Sequence, residues 1–303
     1  MIYYLNPKKD YTTRQYLMQW VQDDTLVITD IDFNQQADRE SINQLLSDHP
    51  IKNCIVDITH NVTSESGVPF NMFPVLTNNF LYWYHPSPNH VFFPLWLWMY
   101  STRNGLWWEY FSFDAGADKT HGIMCLNHIE REHRTWLWNE FNRRHLVDKM
   151  MYTFANERVL PGESLGPHRA DASVNHPVYN QYAVNIVTET ATDMPYISEK
   201  TCKPFVARQI PIIVGSVGVN KFLQDIGLDM FADVVPWHQW DSETNLTTKL
   251  AKIVDFVEQW INSDTILHDY QRVRSRVEYN KQYFHSETFR NRIMSQMSNF
   301  KPA

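Results

Sequence analysis

The chain has 303 residues, of which 43% are hydrophobic, and this apolar content is enough to bury the core of one or two globular domains. Its formal net charge of −7 at pH 7 gives no overall basic surface for a nucleic acid, although a local basic cleft is compatible with that charge. Three cysteines far apart in the sequence, Cys54, Cys125 and Cys202, argue against both a disulfide framework and a zinc site.

The hydropathy of the sequence does not indicate a membrane protein. The N-terminal sequence lacks the basic-then-apolar pattern of a signal peptide. The most apolar stretch, residues 91–100, is too short to span a bilayer. We therefore expect a soluble, cytoplasmic protein without a membrane partner.

The first third of the chain alternates short apolar runs with amphipathic segments. The pattern predicts three strands and two helices, at residues 1–5, 26–29 and 53–56 and at residues 11–21 and 38–46. Such alternation is typical of a parallel sheet covered by helices. Residues 80–113 are rich in Tyr and Trp, which we interpret mainly as buried core.

A small, polar stretch at residues 114–119 is the best candidate for a linker. It divides the chain into an N-terminal domain, a C-terminal domain and a closing helical segment, at residues 1–116, 117–285 and 286–303. In the second part the pattern predicts three strands, at residues 122–126, 184–187 and 211–214. It also predicts five helices, at residues 132–143, 198–208, 246–260, 266–283 and 287–297.

The segment 184–214 reads as strand, loop, helix and strand, with charged residues at the loop. Ser198 is a good N-cap, and Glu199 follows it in the first turn. Lys200 and Lys203 are three residues apart and therefore share one helix face, where an anion such as a diphosphate could bind with help from backbone N–H groups. Glu189 could accept hydrogen bonds from ribose hydroxyls. The alternative is an N-capped surface helix with solvated charges.

Two arginines lie at the start of another predicted helix, earlier in the predicted C-terminal domain. Arg131 and Arg134 lie in the loop and first turn of the helix predicted at residues 132–143. Guanidinium groups there could bind phosphate oxygens through paired hydrogen bonds. Ordinary arginines on a helix surface are an equally weighted alternative.

Two sequence blocks resemble the donor-binding domain of fucosyltransferase-like glycosyltransferases, meaning family 10 and its relatives in bacteria and phages. One block contains ETAT and YISEKTCKPF, followed by a pattern that ends in Leu223, Gly227 and Phe231. The other begins CLNHIEREHR, at Cys125, and resembles Asn-Arg-x-x-Arg-x-His-Arg in the family. Here His128 stands where the family normally has arginine. Together the blocks cover about the C-terminal half of the chain.

The resemblance implies an α/β protein of the GT-B type, in which two Rossmann-like parallel-sheet domains face a cleft. It implies an enzyme whose C-terminal domain holds a nucleotide-sugar donor without any metal or other cofactor. The donor-binding residues would be Asn127, Arg131, Arg134, Glu189, Ser198, Glu199, Lys200 and Lys203. The basic ones would neutralise the diphosphate, while Glu189 and Glu199 would hold ribose or sugar hydroxyls.

The N-terminal domain should supply the acceptor site and a general base for an inverting displacement. Candidate bases follow the predicted strand at residues 53–56, because functional residues of parallel sheets gather beyond the carboxyl ends of strands. Asp57 is the first candidate, and His60 and Glu65 are the next. For each residue alone, a capping or solvated role is the alternative.

Several alternatives stay open from the sequence. Asp30 and Asp32 form an Asp-x-Asp pair that a metal-dependent glycosyltransferase could use. A non-catalytic nucleotide-sugar or glycan-binding protein would share the same fold. The acceptor could be a glycan or small hydroxyl compound, or a hydroxymethylated base of phage DNA, for which the basic run Arg272, Arg274 and Arg276 would be suited. The protein would then act in a bacterial or phage-infected cytoplasm.

Overall fold

The computed structural model of this protein describes residues 2–5, 25–29, 44, 48, 53–57, 80–82, 90–92, 97, 101, 116, 118–154, 178–193 and 196–297. The chain divides into two compact units, Met1–Leu95 together with Met294–Ala303, and Trp96–Ile293. The linker predicted at residues 114–119 falls within the second of these units. Four of the sequence candidates lie outside the described residues: Asp30, Asp32, His60 and Glu65.

The first unit contains a five-stranded parallel sheet in the order β1-β2-β3-β4-β5. Its strands are β1 (Ile2–Leu5), β2 (Thr25–Thr29), β3 (Asn53–Asp57), β4 (Phe80–Tyr82) and β5 (His90–Phe92). The three strands predicted from the sequence are confirmed, and two more arise within the aromatic stretch. Asp57 is the last residue of β3, opposite Thr29 of β2 and Leu81 of β4. The helix predicted at residues 11–21 lies outside the described residues, and Gln44 in the next one is helical.

The second unit contains a four-stranded parallel sheet in the order β7-β6-β8-β9. Its strands are β6 (His121–Asn127), β7 (Met151–Phe154), β8 (Tyr182–Thr188) and β9 (Ile210–Val214). Every residue of β8 and β9 is buried, as expected for parallel strands covered on both faces. The α/β fold class with two parallel sheets is therefore confirmed, and β7 is the strand that the sequence pattern missed.

The described part of the chain contains the five helices predicted for its C-terminal part, together with helices at Val178–Gln181 and Val219–Asp225 that the pattern does not predict. They are α1 (Glu132–Arg143), α2 (Val178–Gln181), α3 (Glu199–Val206), α4 (Val219–Asp225), α5 (Leu246–Ser263), α6 (Ile266–Arg272), α7 (Arg274–Phe284) and α8 (Glu287–Met297). The single helix predicted at residues 266–283 is wrong in one respect. It is divided at Val273, where the backbone turns out of the helical region with ψ of 11° and the side chain is buried.

The core of the second unit lies between its sheet and these helices. The apolar stripe predicted on α5 is buried as expected, through Leu250, Ile253, Val254 and Val257. Cys125 and Cys202 are buried free thiols, which agrees with their predicted role as small core residues. No helix in the described ranges combines the length and apolar character needed to cross a bilayer.

Candidate functional site

A pocket of about 190 Å³ opens at the carboxyl edge of the second sheet. Its walls come from the end of β6 with the loop and helix start that follow it, from α2, from the carboxyl half of β8, and from the first two turns of α3. Ligand sites of open α/β sheets occupy this edge, because loops and helix N-termini meet there. Five of the eight residues predicted to bind a donor line it: Arg131, Arg134, Glu199, Lys200 and Lys203.

The pocket also has polar walls that sequence reasoning did not assign. They are contributed by His128, Tyr179, Asn185, Thr188 and Thr190. His128 is an exposed side chain within the resembling block that begins at Cys125, and Thr190 belongs to the polar turn after β8, so both carried a sequence signal. Tyr179 and Asn185 lie in segments with no such signal. The charged lining consists of four cationic side chains and one carboxylate, so the pocket is strongly basic.

The two lysines of α3 differ in their surroundings. Lys200 forms an ion pair of 2.9 Å with Glu199, and its side chain is 26% exposed. Lys203 is buried, with its Nζ 5.8 Å from the centroid of the Tyr179 ring. Burial alone would raise the pKa of the Glu199 carboxyl, but Lys200 and Lys203 bring that pKa below its ordinary value. Glu199 is therefore charged at neutral pH, and both cations keep a local counter-charge.

Arg134 has a structural task in addition to its place in the pocket. It is 3% exposed, and its Nη1 and Nη2 donate to the carbonyl oxygens of Ile129 (2.9 Å) and Thr188 (2.8 Å). These bonds join the loop after β6 to the end of β8. Its buried Nε lacks a hydrogen-bond partner among the described residues. Arg131, in contrast, is exposed at the N-cap of α1.

Glu189 does not face the pocket, which differs from the ribose-binding position expected from the sequence. The residue is fully buried, and one oxygen of its carboxylate accepts from the Ser198 backbone N–H (2.9 Å) and from Thr201 Oγ1 (2.5 Å). The other oxygen accepts from Ser198 Oγ at 2.5 Å. The carboxylate is thus occupied by the start of α3, because the packing of β8 turns it inward.

Two backbone donors at the start of α3 are likewise occupied. Ser198 Oγ, the predicted N-cap, accepts from the Lys200 backbone N–H at 3.2 Å. Since the Ser198 N–H donates to Glu189 and the Lys200 N–H donates to Ser198 Oγ, these two backbone donors are not available to an anion. An anion in this pocket would meet the cationic side chains of its lining.

Asn127 also lies behind the pocket wall. Its backbone N–H donates to Thr153 Oγ1 (2.9 Å), and its Nδ2 lies 3.3 Å from Tyr152 OH. Its Oδ1 accepts from Thr188 Oγ1. Asn127 therefore links the carboxyl ends of β6, β7 and β8, and contributes to the shape of the pocket without lining it.

His133 is a buried histidine in the first turn of α1 whose Nε2 donates to the Glu189 carbonyl oxygen at 2.8 Å. Burial is the main reason why the pKa of His133 is lowered to about 4, and the nearby charge of Arg134 lowers it further. The imidazole is therefore neutral at neutral pH, with its proton on Nε2.

We predict from this shift that acid destabilises the protein in part through His133. The unfolded chain binds the proton near pH 6.5 and the folded chain only near pH 4, so stability falls as the pH drops between these values, by at most about 3 kcal/mol. His133→Gln keeps an N–H donor that does not titrate. Urea unfolding at pH 7 and pH 4.5 should show a smaller acid-dependent loss for the variant. Equal losses in the two proteins would contradict this assignment.

The basic run proposed for DNA is paired with acidic side chains. Arg276 binds Asp229 and Asp233, Arg272 binds Asp233, and Arg274 binds Asp118 at 2.8 Å. These pairs cancel most of the positive charge that a phosphate backbone would meet. Among the described residues, no group of three or more His, Cys, Asp and Glu side chains is arranged to hold a metal ion.

No family model and no curated protein matches this sequence. The structure is similar to three crystal structures of α1,3-fucosyltransferase, each with 10% sequence identity. One gives a TM-score of 0.45 and covers 89% of this chain and 79% of that chain. The second, with GDP-fucose, gives a TM-score of 0.37 and covers 97% of this chain and 80% of that chain. The third, with GDP, gives a TM-score of 0.44 and covers 95% of this chain and 91% of that chain.

Proposed function

We propose that this protein is a glycosyltransferase that takes its sugar from a nucleotide-sugar donor, and that the basic pocket holds the diphosphate of that donor. The observation that supports this most directly is the convergence of Arg131, Lys200 and Lys203 on one pocket at the carboxyl edge of a parallel sheet. The two sequence blocks that resemble fucosyltransferase-like enzymes supply these same residues.

The chemistry needs a site that stabilises the charge developing on the nucleoside diphosphate as the sugar leaves. Cationic side chains that are fixed before the reaction can provide this stabilisation without a metal ion. Lys200 and Arg131 would bind phosphate oxygens at the open side of the pocket, and the buried Lys203 would act from its floor. Glu199 would accept a hydrogen bond from a ribose or sugar hydroxyl.

The acceptor hydroxyl would lose its proton to a base of the first unit in an inverting displacement. Asp57, with His60 and Glu65 as further candidates, is proposed for this step because it ends β3 at the carboxyl edge of its sheet. We propose a glycan or small hydroxyl compound as the acceptor. The acidic partners of Arg272, Arg274 and Arg276 support it over a hydroxymethylated DNA base.

A thermal-shift screen against GDP, UDP, CDP, ADP and their common sugar conjugates, with and without Mn²⁺, tests the proposal. A ligand that binds only the folded state must raise Tm by mass action. We expect one nucleotide to raise Tm equally in both conditions. A shift only with Mn²⁺ would favour the Asp30–Asp32 alternative, and no shift at all would contradict a donor site. Donor binding without transfer to any acceptor would favour a non-catalytic binding protein.

A further inference from the structure

We infer that Glu189 is a positioning residue that acts as an internal anion at the N-terminus of α3 and thereby fixes the basic face of that helix. The effect on ligand binding rests on the proposed function, whereas the effect on α3 does not. The sequence alone favours a ligand-binding role for Glu189, whereas its carboxylate binds the start of α3 in the structure.

Among the described residues, the hydrogen bonds of the Glu189 carboxylate are all made with the N-cap and first turn of α3. Its two oxygens receive three hydrogen bonds from Ser198 and Thr201, two of them from hydroxyl groups at 2.5 Å. A carboxylate is stabilised at a helix N-terminus, because the partial positive charge of the helix dipole lies there. A buried charge without such partners would be costly, so α3 and Glu189 hold each other in place.

The main chain of Glu189 is fixed from two further directions. Its N–H donates to the Val214 carbonyl oxygen of β9 at 2.9 Å, and its carbonyl oxygen accepts from His133 Nε2 of α1 at 2.8 Å. The main chain of Glu189, which directly follows β8, is therefore bound to β9 and α1, while its carboxylate binds the start of α3. The second residue of α3 is Lys200, and Lys203 follows within the next turn. A shift of this helix would move both ammonium groups away from the pocket.

The arrangement also decides where an external anion can bind. Because Glu189 already fills the helix N-terminus with negative charge, a second anion would be repelled from that position. The attractive surface is left to the ammonium and guanidinium groups of Lys200, Lys203 and Arg131, which face the pocket. Glu189 would in this way select one location for a diphosphate.

Thr201→Val tests this role with little change in shape, because valine replaces only the hydroxyl that donates to Glu189. Inorganic pyrophosphate is the probe, measured by titration calorimetry well below the unfolding temperature. We expect about 3- to 10-fold weaker binding for Thr201→Val, a larger loss for Glu189→Gln, and recovery in Thr201→Ser, which keeps the hydroxyl. Thr265→Val is the matched control, since it removes a hydroxyl that donates to Asp269 at the start of α6.

The thiol of Cys202 gives a readout that needs no ligand. It is fully buried in α3, 3.6 Å from the Ser198 carbonyl oxygen, whereas Cys125 is fully buried in β6. Mass spectrometry after treatment with a thiol reagent should show faster labelling of Cys202 in Thr201→Val and unchanged labelling of Cys125. Equal acceleration at both cysteines would indicate general destabilisation and overturn the inference.

The two readouts separate the inference from the proposed function. If the wild-type protein does not bind pyrophosphate but Cys202 is still exposed selectively, the pocket proposal fails and the role of Glu189 stands. Unchanged Cys202 labelling in both Thr201→Val and Glu189→Gln would overturn the role of Glu189. Unchanged pyrophosphate affinity in a variant with loosened α3 would show that the helix does not position the binding cations.

Discussion

Lys200→Met is expected to weaken binding of a nucleoside diphosphate about 10- to 100-fold. A hydrogen bond between a charged donor and phosphate contributes roughly 1.5–3 kcal/mol, and each 1.4 kcal/mol is a tenfold change in affinity. The side chain of Lys200 is partly exposed and paired with Glu199 on the same turn, so its removal should leave the fold intact. Titration calorimetry with the nucleotide identified by thermal shift, at fixed ionic strength, measures the effect.

Lys221→Met is the matched control for this prediction. Lys221 is also a helical lysine paired with a carboxylate, Asp225, but its side chain is 67% exposed and lies on α4. We expect its substitution to change the affinity less than twofold, because exposed ion pairs contribute little and the long-range field is screened by salt. Similar losses in both variants would mean that net charge, rather than the pocket, controls binding.

Gly227→Ala is expected to destabilise the protein by about 2–5 kcal/mol. Gly227 has φ of 100°, a conformation that costs an L-amino acid about 1–2 kcal/mol. A Cβ at this position would lie 2.5 Å from Tyr283 OH and 2.8 Å from its Cζ, so the phenol ring would have to move. Overpacking of this kind typically costs about 1–3 kcal/mol more. Urea unfolding monitored by tryptophan fluorescence measures the loss.

Gly218→Ala separates the two contributions to that loss. Gly218 also has a positive φ, of 78°, but a Cβ there would meet no atom within 4 Å. We therefore expect only the backbone cost of about 1–2 kcal/mol. Equal losses of stability in the two variants would show that the contact with Tyr283 does not contribute. If that contact does contribute, adding Tyr283→Leu to Gly227→Ala should recover part of the lost stability.

Gly227 also belongs to one of the two sequence blocks that resemble the family, and its structural role is clear. Gly227 ends α4 in a Schellman motif, in which its N–H donates to the Gln224 carbonyl oxygen and the Leu228 N–H donates to that of Leu223. Tyr283 OH donates to the Ile226 carbonyl oxygen across the space that a side chain would fill. Leu223 and Gly227 therefore take part in the termination of α4, and neither lines the pocket.

Local signals in the sequence determined most of the second unit. The bounds of α1 and α8 agree with the prediction, because residues within each helix supply its apolar spacing and its end signals. Ser198 is the N-cap of α3 as predicted, since capping depends on a hydroxyl next to its own helix. The strands β8 and β9 were recognisable as continuous apolar runs. In contrast, β7 and α2 have four residues each, which is too few for a periodic pattern to identify.

The sequence by itself determined which residues surround the carboxyl edge of the second sheet, because chain order and strand ends fix that location. Only the tertiary structure decided which of them face the pocket. Arg134 turns inward toward the carbonyl oxygen of Thr188, a partner more than 50 residues away in the chain. The carboxylate of Glu189 turns inward toward Ser198 and Thr201 at the start of α3. Whether a charged side chain meets solvent or a buried donor depends on the elements packed over it, and no local pattern carries that information.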